Sequence, residues 1–255
     1  MAITIVITVL NSKPLVGSPL PYFGLLVATG WFVLLGQHLT TSDSVHDHSG
    51  SGVFSMWVLM TLVMMSSTAV PVLRSLNDIT SNGSQNIWWS FVAAYSIVWF
   101  GFSLVASSMQ IVLAKLDLLD SNTRPNQLLS GGLLVTAGLY QFSSLKDRCQ
   151  SECVSPMQFF LRHWRDGISG GFKMGLRHGV TCVGCCWALM LLAFVGGLTN
   201  IWFMVLSAAV MAIEKFPKIG RKLTIPLGVL ITLWGVVVMA GLANGVGATH
   251  NHIYP

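Results

Sequence analysis

Charge is what this sequence has least of. Asp, Glu, Lys and Arg make up 9% of its 255 residues, against about 25% in an average soluble domain, too few to cover a water-soluble surface. Only two glutamates occur, Glu152 and Glu214, and no carboxylate lies deep within an apolar run, so a relay of buried acids has little material. No glycine-rich phosphate loop leads into a basic helix, which excludes a Walker-type ATPase, and GxSxG and HExxH are absent as well. The lack of a C-x-x-C-H segment removes covalent haem attachment. Internal repeats, low-complexity tracts and an appended soluble domain are also missing.

What is present is apolar. Hydrophobic residues account for 53% of the chain and the mean hydropathy is +0.68, arranged in runs near the ~20 residues needed to cross a bilayer. The expected class is therefore all-α: a polytopic transmembrane helical bundle, one membrane-embedded domain over residues 1–255. Seven spans are expected, at Leu20 to Leu39, Val53 to Leu73, Ile87 to Leu113, Leu128 to Leu145, Val180 to Leu198, Asn200 to Ile213 and Leu223 to Gly245. Met1 to Leu10 lacks the basic start and the small-residue cleavage site of a secretory signal, so no segment is expected to be removed. With the N-terminus inside and the C-terminus outside, all Lys and Arg except Lys115 and Arg124 fall on the cytoplasmic side, the bias that membrane insertion imposes. The net charge of +5 thus reflects topology, and nucleic acid is set aside as a partner. On this topology His46, His48, His250 and His252 lie at the outer face, a possible outer metal site or a solvated loop.

Five cysteines carry the sharpest chemistry. Cys149 and Cys153 lie four apart, and Cys182, Cys185 and Cys186 form C-x-x-C-C in the fifth span; residues three or four apart share a helix face. Thiolates take soft or borderline metals, and a cytoplasmic placement disfavours disulfides. The fifth span adds a stripe at intervals of four, Met174, His178, Cys182, Cys186 and Met190, and the second carries Met56, Met60 and Met64, with Met65 beside them. Thioether and thiolate select Cu(I), so copper is expected ahead of zinc or haem. If the two stripes pack together, with Gly179 and Gly184 against Ser66, Ser67 and Ala69, they form a ladder of ligands softening inward. The competing reading is that methionine fills the core and small cysteines allow close helix packing.

The run Phe159 to His178 interleaves aromatics with Arg, His and Lys, as interfacial helices do. It reads either as a snorkelling re-entry helix or as a basic inner mouth of Arg162, His163, Arg165 and Arg177, with His178, for an anion or headgroup.

The stretches FSMWVLMTLVMMSSTAVPVL, AGLYQFSSLKDRCQSECVSPMQFFLRHWRDG and GFKMGLRHGVTCVGCCWALMLLAFVGGLTNIWFMVLSAAVMAIEK resemble the bacterial family of domain of unknown function 2182, described as predicted metal-binding integral membrane proteins. The likeness spans about Val53 to Lys215. It marks Met56, Trp57, Met60, Met64, Met65, Pro71, Tyr140, Gln141, Lys146, Cys149, Cys153, Pro156, Arg162, His163, Trp164, Arg177, His178, Gly179, Cys182, Cys185, Cys186, Trp187, Asn200, Glu214 and Lys215. It implies a multi-pass protein of the bacterial inner membrane and no mechanism; the outer histidines fall outside it. Three readings follow: copper handling or transfer in exchange with a copper carrier, an accessory subunit of a membrane metalloenzyme complex, or a structural bundle whose thiols do no chemistry. No residue is assigned a catalytic role.

Overall fold

A chain this apolar has to satisfy its backbone N–H and C=O groups internally, and it does so with helices. The computed structural model describes residues 19–40, 50–80, 85–119, 125–196, 201–216 and 220–241. Among them the elements are α1 (Leu20–Thr40), α2 (Gly50–Ile79), α3 (Gln85–Lys115), α4 (Gln127–Tyr140), α5 (Ser144–Val154), α6 (Pro156–His163), α7 (Gly167–Gly196), α8 (Ile201–Glu214) and α9 (Gly220–Met239). The fold is all-helical, with a lone bridge between Leu119 and Pro125. Helices α2, α3, α7 and α9 contain segments long and apolar enough to cross a membrane, and α4 with α5 would make a fifth if the bent pair is one span.

Helices overlap all seven expected runs, but only four, or five with the bent pair, reach spanning length, α1 and α8 contributing shorter apolar segments, and two departures matter. The fourth run breaks after Tyr140, where Ser143 caps α5 by accepting from the Leu145 amide at 3.2 Å, and the chain turns by 65°. The helix of the fifth expected span, α7, begins at Gly167 rather than Val180. Gly167 has φ of +77°, a conformation that glycine adopts without strain, and it restarts the chain after α6. Residues 167–178 are therefore the first turns of a long helix rather than part of an interfacial one. The thiols of α7 consequently sit mid-helix, Cys182 about 22 Å from its start at ~1.5 Å per residue, and not near that start.

Two close pairings hold the bundle. Helices α3 and α7 pack extensively, as do α4 and α9. Gly171, Gly175 and Gly179 recur every four residues on α7 and lie against Ile87, Phe91 and Val98 of α3; a Cβ on Gly171 would stand 2.6 Å from the Ile87 carbonyl. Such small-residue rows let apolar helices approach when water supplies no driving force. Gly179 thus meets α3, and Gly184 meets Cys149 of α5, so neither closes on α2 as the ladder requires. The small residue Ser67 of α2 instead accepts from the Trp31 indole of α1 at 3.1 Å. The core gathers Trp57, Met60, Met64, Met65, Phe91, Trp99, Phe159, Met174 and Met211, while Phe32, Val105, Trp202 and Leu230 point outward, an apolar exterior compatible with lipid.

Candidate metal centre

A thiol is a soft metal ligand once deprotonated and otherwise a small apolar group, so its neighbours decide its role. Cys153 on α5 and Cys182, Cys185 and Cys186 on α7 are all buried where these two helices pack. The sulfurs of Cys153, Cys182 and Cys185 lie within 4.8 Å of one another. Cys185 is the hub, its Sγ 3.7 Å from that of Cys153 and 3.2 Å from that of Cys186. All are free thiols, too far apart for a disulfide bond of ~2.05 Å. Sulfurs that share an ion at ~2.3 Å stand about 4 Å apart, close to the spacing found.

The polar groups around the cluster come from three other elements. On α3 the Tyr95 hydroxyl is 3.4 Å from Cys182 Sγ and donates to the Met65 carbonyl of α2 at 3.2 Å. Lys215, just beyond α8, donates from Nζ to Cys182 Sγ at 3.3 Å and to Thr68 Oγ1 at 2.7 Å. Thr68 in turn contacts Met65 Sδ at 3.9 Å. A lysine ammonium in hydrogen-bond contact with Cys182 Sγ is placed to offset the charge of thiolates bound to a monovalent ion.

A buried ion pair lies beside Lys215 in the chain. Lys146 of α5 bonds both carboxylate oxygens of Glu214 at 2.9 and 3.0 Å and also Gln141, while Gln150 donates to the Glu214 carbonyl at 2.8 Å. Glu214 and Lys146, read in the sequence as an end-of-span acid and a loop cation, are both buried. They tie the end of α8 to the helix that carries Cys153, and the next residue is Lys215.

The remaining expected ligands are distributed unevenly. His178, one turn before Cys182, is buried with Nδ1 lacking a hydrogen-bond partner; Tyr95 stacks on it at 5.9 Å and Phe159 meets it edge-on at 5.2 Å. Met174 and Met190 continue the same stripe and are buried. On α2 Met60 and Met64 are buried and Met56 is half-buried, but α2 packs chiefly on α3 and α1. Its link to the thiols runs through Met65, Thr68 and Tyr95. Cys149 stands apart: it is half-buried, its sulfur against Gly184, where a Cβ would come within 2.6 Å. Arg162 and Arg165 are exposed around the α6–α7 turn and His163 is half-buried, whereas Arg177 lies further along α7 and pairs with Glu152 at 3.7 Å. His46, His48, His250 and His252 lie outside the described residues.

Sequence reading missed Tyr95 and Thr68 as neighbours of the thiols, placed Met65 only beside the methionine stripe, and marked Lys215 as a site residue only by resemblance. A tyrosine in mid-span must find a partner for its hydroxyl, and a Glu-Lys pair closing an apolar run is costly unless matched; both were signals of a buried polar site. No curated protein and no solved structure matches the chain. A family model, PpoB2, described as a copper chaperone, matches residues 54–238, a span that includes every member of this cluster. The match supports a copper-related family without carrying the name of the family that the motifs resemble. The chain belongs to the PpoB2 copper chaperone family.

Proposed function

We propose that this protein holds Cu(I) as cargo between Cys153, Cys182 and Cys185, with Cys186 adjoining, and hands it to an acceptor within or beside the bacterial inner membrane. The observation that carries this reading is the set of three buried sulfurs from two helices within 4.8 Å, with a lysine ammonium as the nearest charge. Three thiolates with no carboxylate among them form a softer set than Mg or Ca sites use. The His178 imidazole and the Met174 and Met65 thioethers would serve as weaker steps for an ion in transit. The seven-span topology with an outer C-terminus and the closer kinship to the domain of unknown function 2182 family belong to the same reading. So does the absence of a reaction catalysed by the protein itself.

The test is metal analysis of the detergent-purified protein. After exposure to Cu(I) and dialysis against a Cu(I) chelator, the parent should retain a single copper per chain, and a variant with Cys153, Cys182 and Cys185 replaced by Ser should retain none. Equal retention in both proteins would move copper away from the thiols. A role as an accessory subunit of a metalloenzyme predicts instead a stable complex recovered in mild detergent that persists in the triple variant.

A further inference from the structure

The seam between α5 and α7 continues from the buried thiols to the surface. Arg177, Thr181 and Gly184 are spaced four and three apart on α7 and share one face, as do Cys149, Glu152 and Cys153 on α5. The two rows meet: Thr181 Oγ1 donates to Glu152 Oε2 at 3.3 Å, Arg177 pairs with Glu152, and the Cys149 sulfur lies against Gly184. At the outer edge is a cleft of ≈ 520 Å³ lined by Glu152, Leu176, Arg177, Val180 and Thr181. Glu152 and Thr181 immediately precede Cys153 and Cys182 in the chain, and Glu152 lies one turn of α5 beyond Cys149. The ion pair across it is long, and its side chains are 54% and 26% exposed. Such a pair contributes little stability. Cys149 is the one cysteine of the five that is not buried.

We propose that this cleft is the entrance through which Cu(I) reaches the buried thiols, and that Cys149 is the first thiol to take the ion. The proposal rests on the copper reading of the buried cluster. The donor we propose is a low-molecular-weight thiol carrying Cu(I), small enough to reach a sulfur at an open depression between two helices. Transfer is ligand exchange without redox change. A bond forms from copper to Cys149 Sγ as the bond to the donor sulfur breaks, and the Cys149 proton goes to the departing donor thiolate. A second exchange passes the ion to Cys153 and Cys185, and of the two protons these thiols release one returns to Cys149 and the other goes to water.

The full-length protein in detergent is offered Cu(I)–glutathione, and uptake is followed by copper–thiolate absorbance; in parallel, alkylation of Cys153 by iodoacetamide in the metal-free protein is followed by mass spectrometry. Val180→Trp, which fills the cleft from an exposed position, should slow both processes by about fivefold or more. Cys149→Ser should slow uptake alone. Val105→Trp, on an exposed face of α3, should change neither, and copper retained at equilibrium should be the same in Val180→Trp and Val105→Trp as in the parent. Parental uptake rates in both Val180→Trp and Cys149→Ser would overturn the proposal. If Val180→Trp slows alkylation while even the parent holds no copper, the copper reading fails and the proposal falls with it, although the access route stands. Should Val180→Trp lose copper at equilibrium as well, Glu152→Gln decides: with the ion pair removed, faster uptake supports the entrance and an unchanged rate rejects it.

Discussion

At the scale of the residue, Cys185 is the sulfur on which the cluster turns, in contact with both Cys153 and Cys186. Cys185→Ser should weaken Cu(I) affinity by about 100-fold, each tenfold step being about 1.4 kcal/mol, in a chelator competition assay. Cys149→Ser should leave affinity nearly unchanged. Lys215 acts by charge: an ion bound by two or more thiolates is left with net negative charge, and in a low-dielectric interior an opposite charge close by counts for more than in water. Lys215→Met should therefore lower Cu(I) affinity about tenfold, with Lys215→Arg closer to the parent because it keeps the charge though not the geometry. The cysteines could be found in the sequence because their residue type states their chemistry. Tyr95, Thr68 and Lys215 could not, since they come from α3, α2 and the turn after α8 and only packing brings them to Cys182.

At the scale of the element, the α3–α7 contact depends on a backbone-to-backbone approach at Gly171, Gly175 and Gly179. A side chain at Gly175 would run into the Phe91 carbonyl, which cannot rotate away. Gly175→Leu should destabilise the fold by about 1–3 kcal/mol, seen as a lower thermal transition in detergent and as loss of copper binding together. The Lys146–Glu214 pair is buried, and removing one partner leaves the other charge alone. Lys146→Met should cost about 3–5 kcal/mol, and Lys146→Met with Glu214→Leu should recover part of it. Met60 and Met64 face the core of α2; replacing both with Leu conserves volume and should cost less than about 1.5 kcal/mol each. Reduced copper transfer in that double variant, with affinity retained, would make α2 part of the route. Apolar periodicity located the long helices because length and hydropathy are local properties. The start of α7 escaped it, as the residues from Gly167 to Gly179 carry charges and glycines whose purpose shows only against α3.

At the scale of the whole molecule, a bundle of membrane-length helices with apolar outer faces encloses a thiol cluster midway along α7. The distribution of Lys and Arg predicts that a reporter active only outside the cytoplasm is active when fused after Pro255 and inactive when fused after Arg221; activity in the same compartment for both would remove the final crossing. The most direct test of the copper site is X-ray absorption of the Cu(I)-loaded protein at the copper edge. A first shell composed of sulfur, losing one scatterer in Cys185→Ser, is the expected result. A shell of nitrogen or oxygen, or a sulfur shell that Cys185→Ser leaves intact, would contradict it.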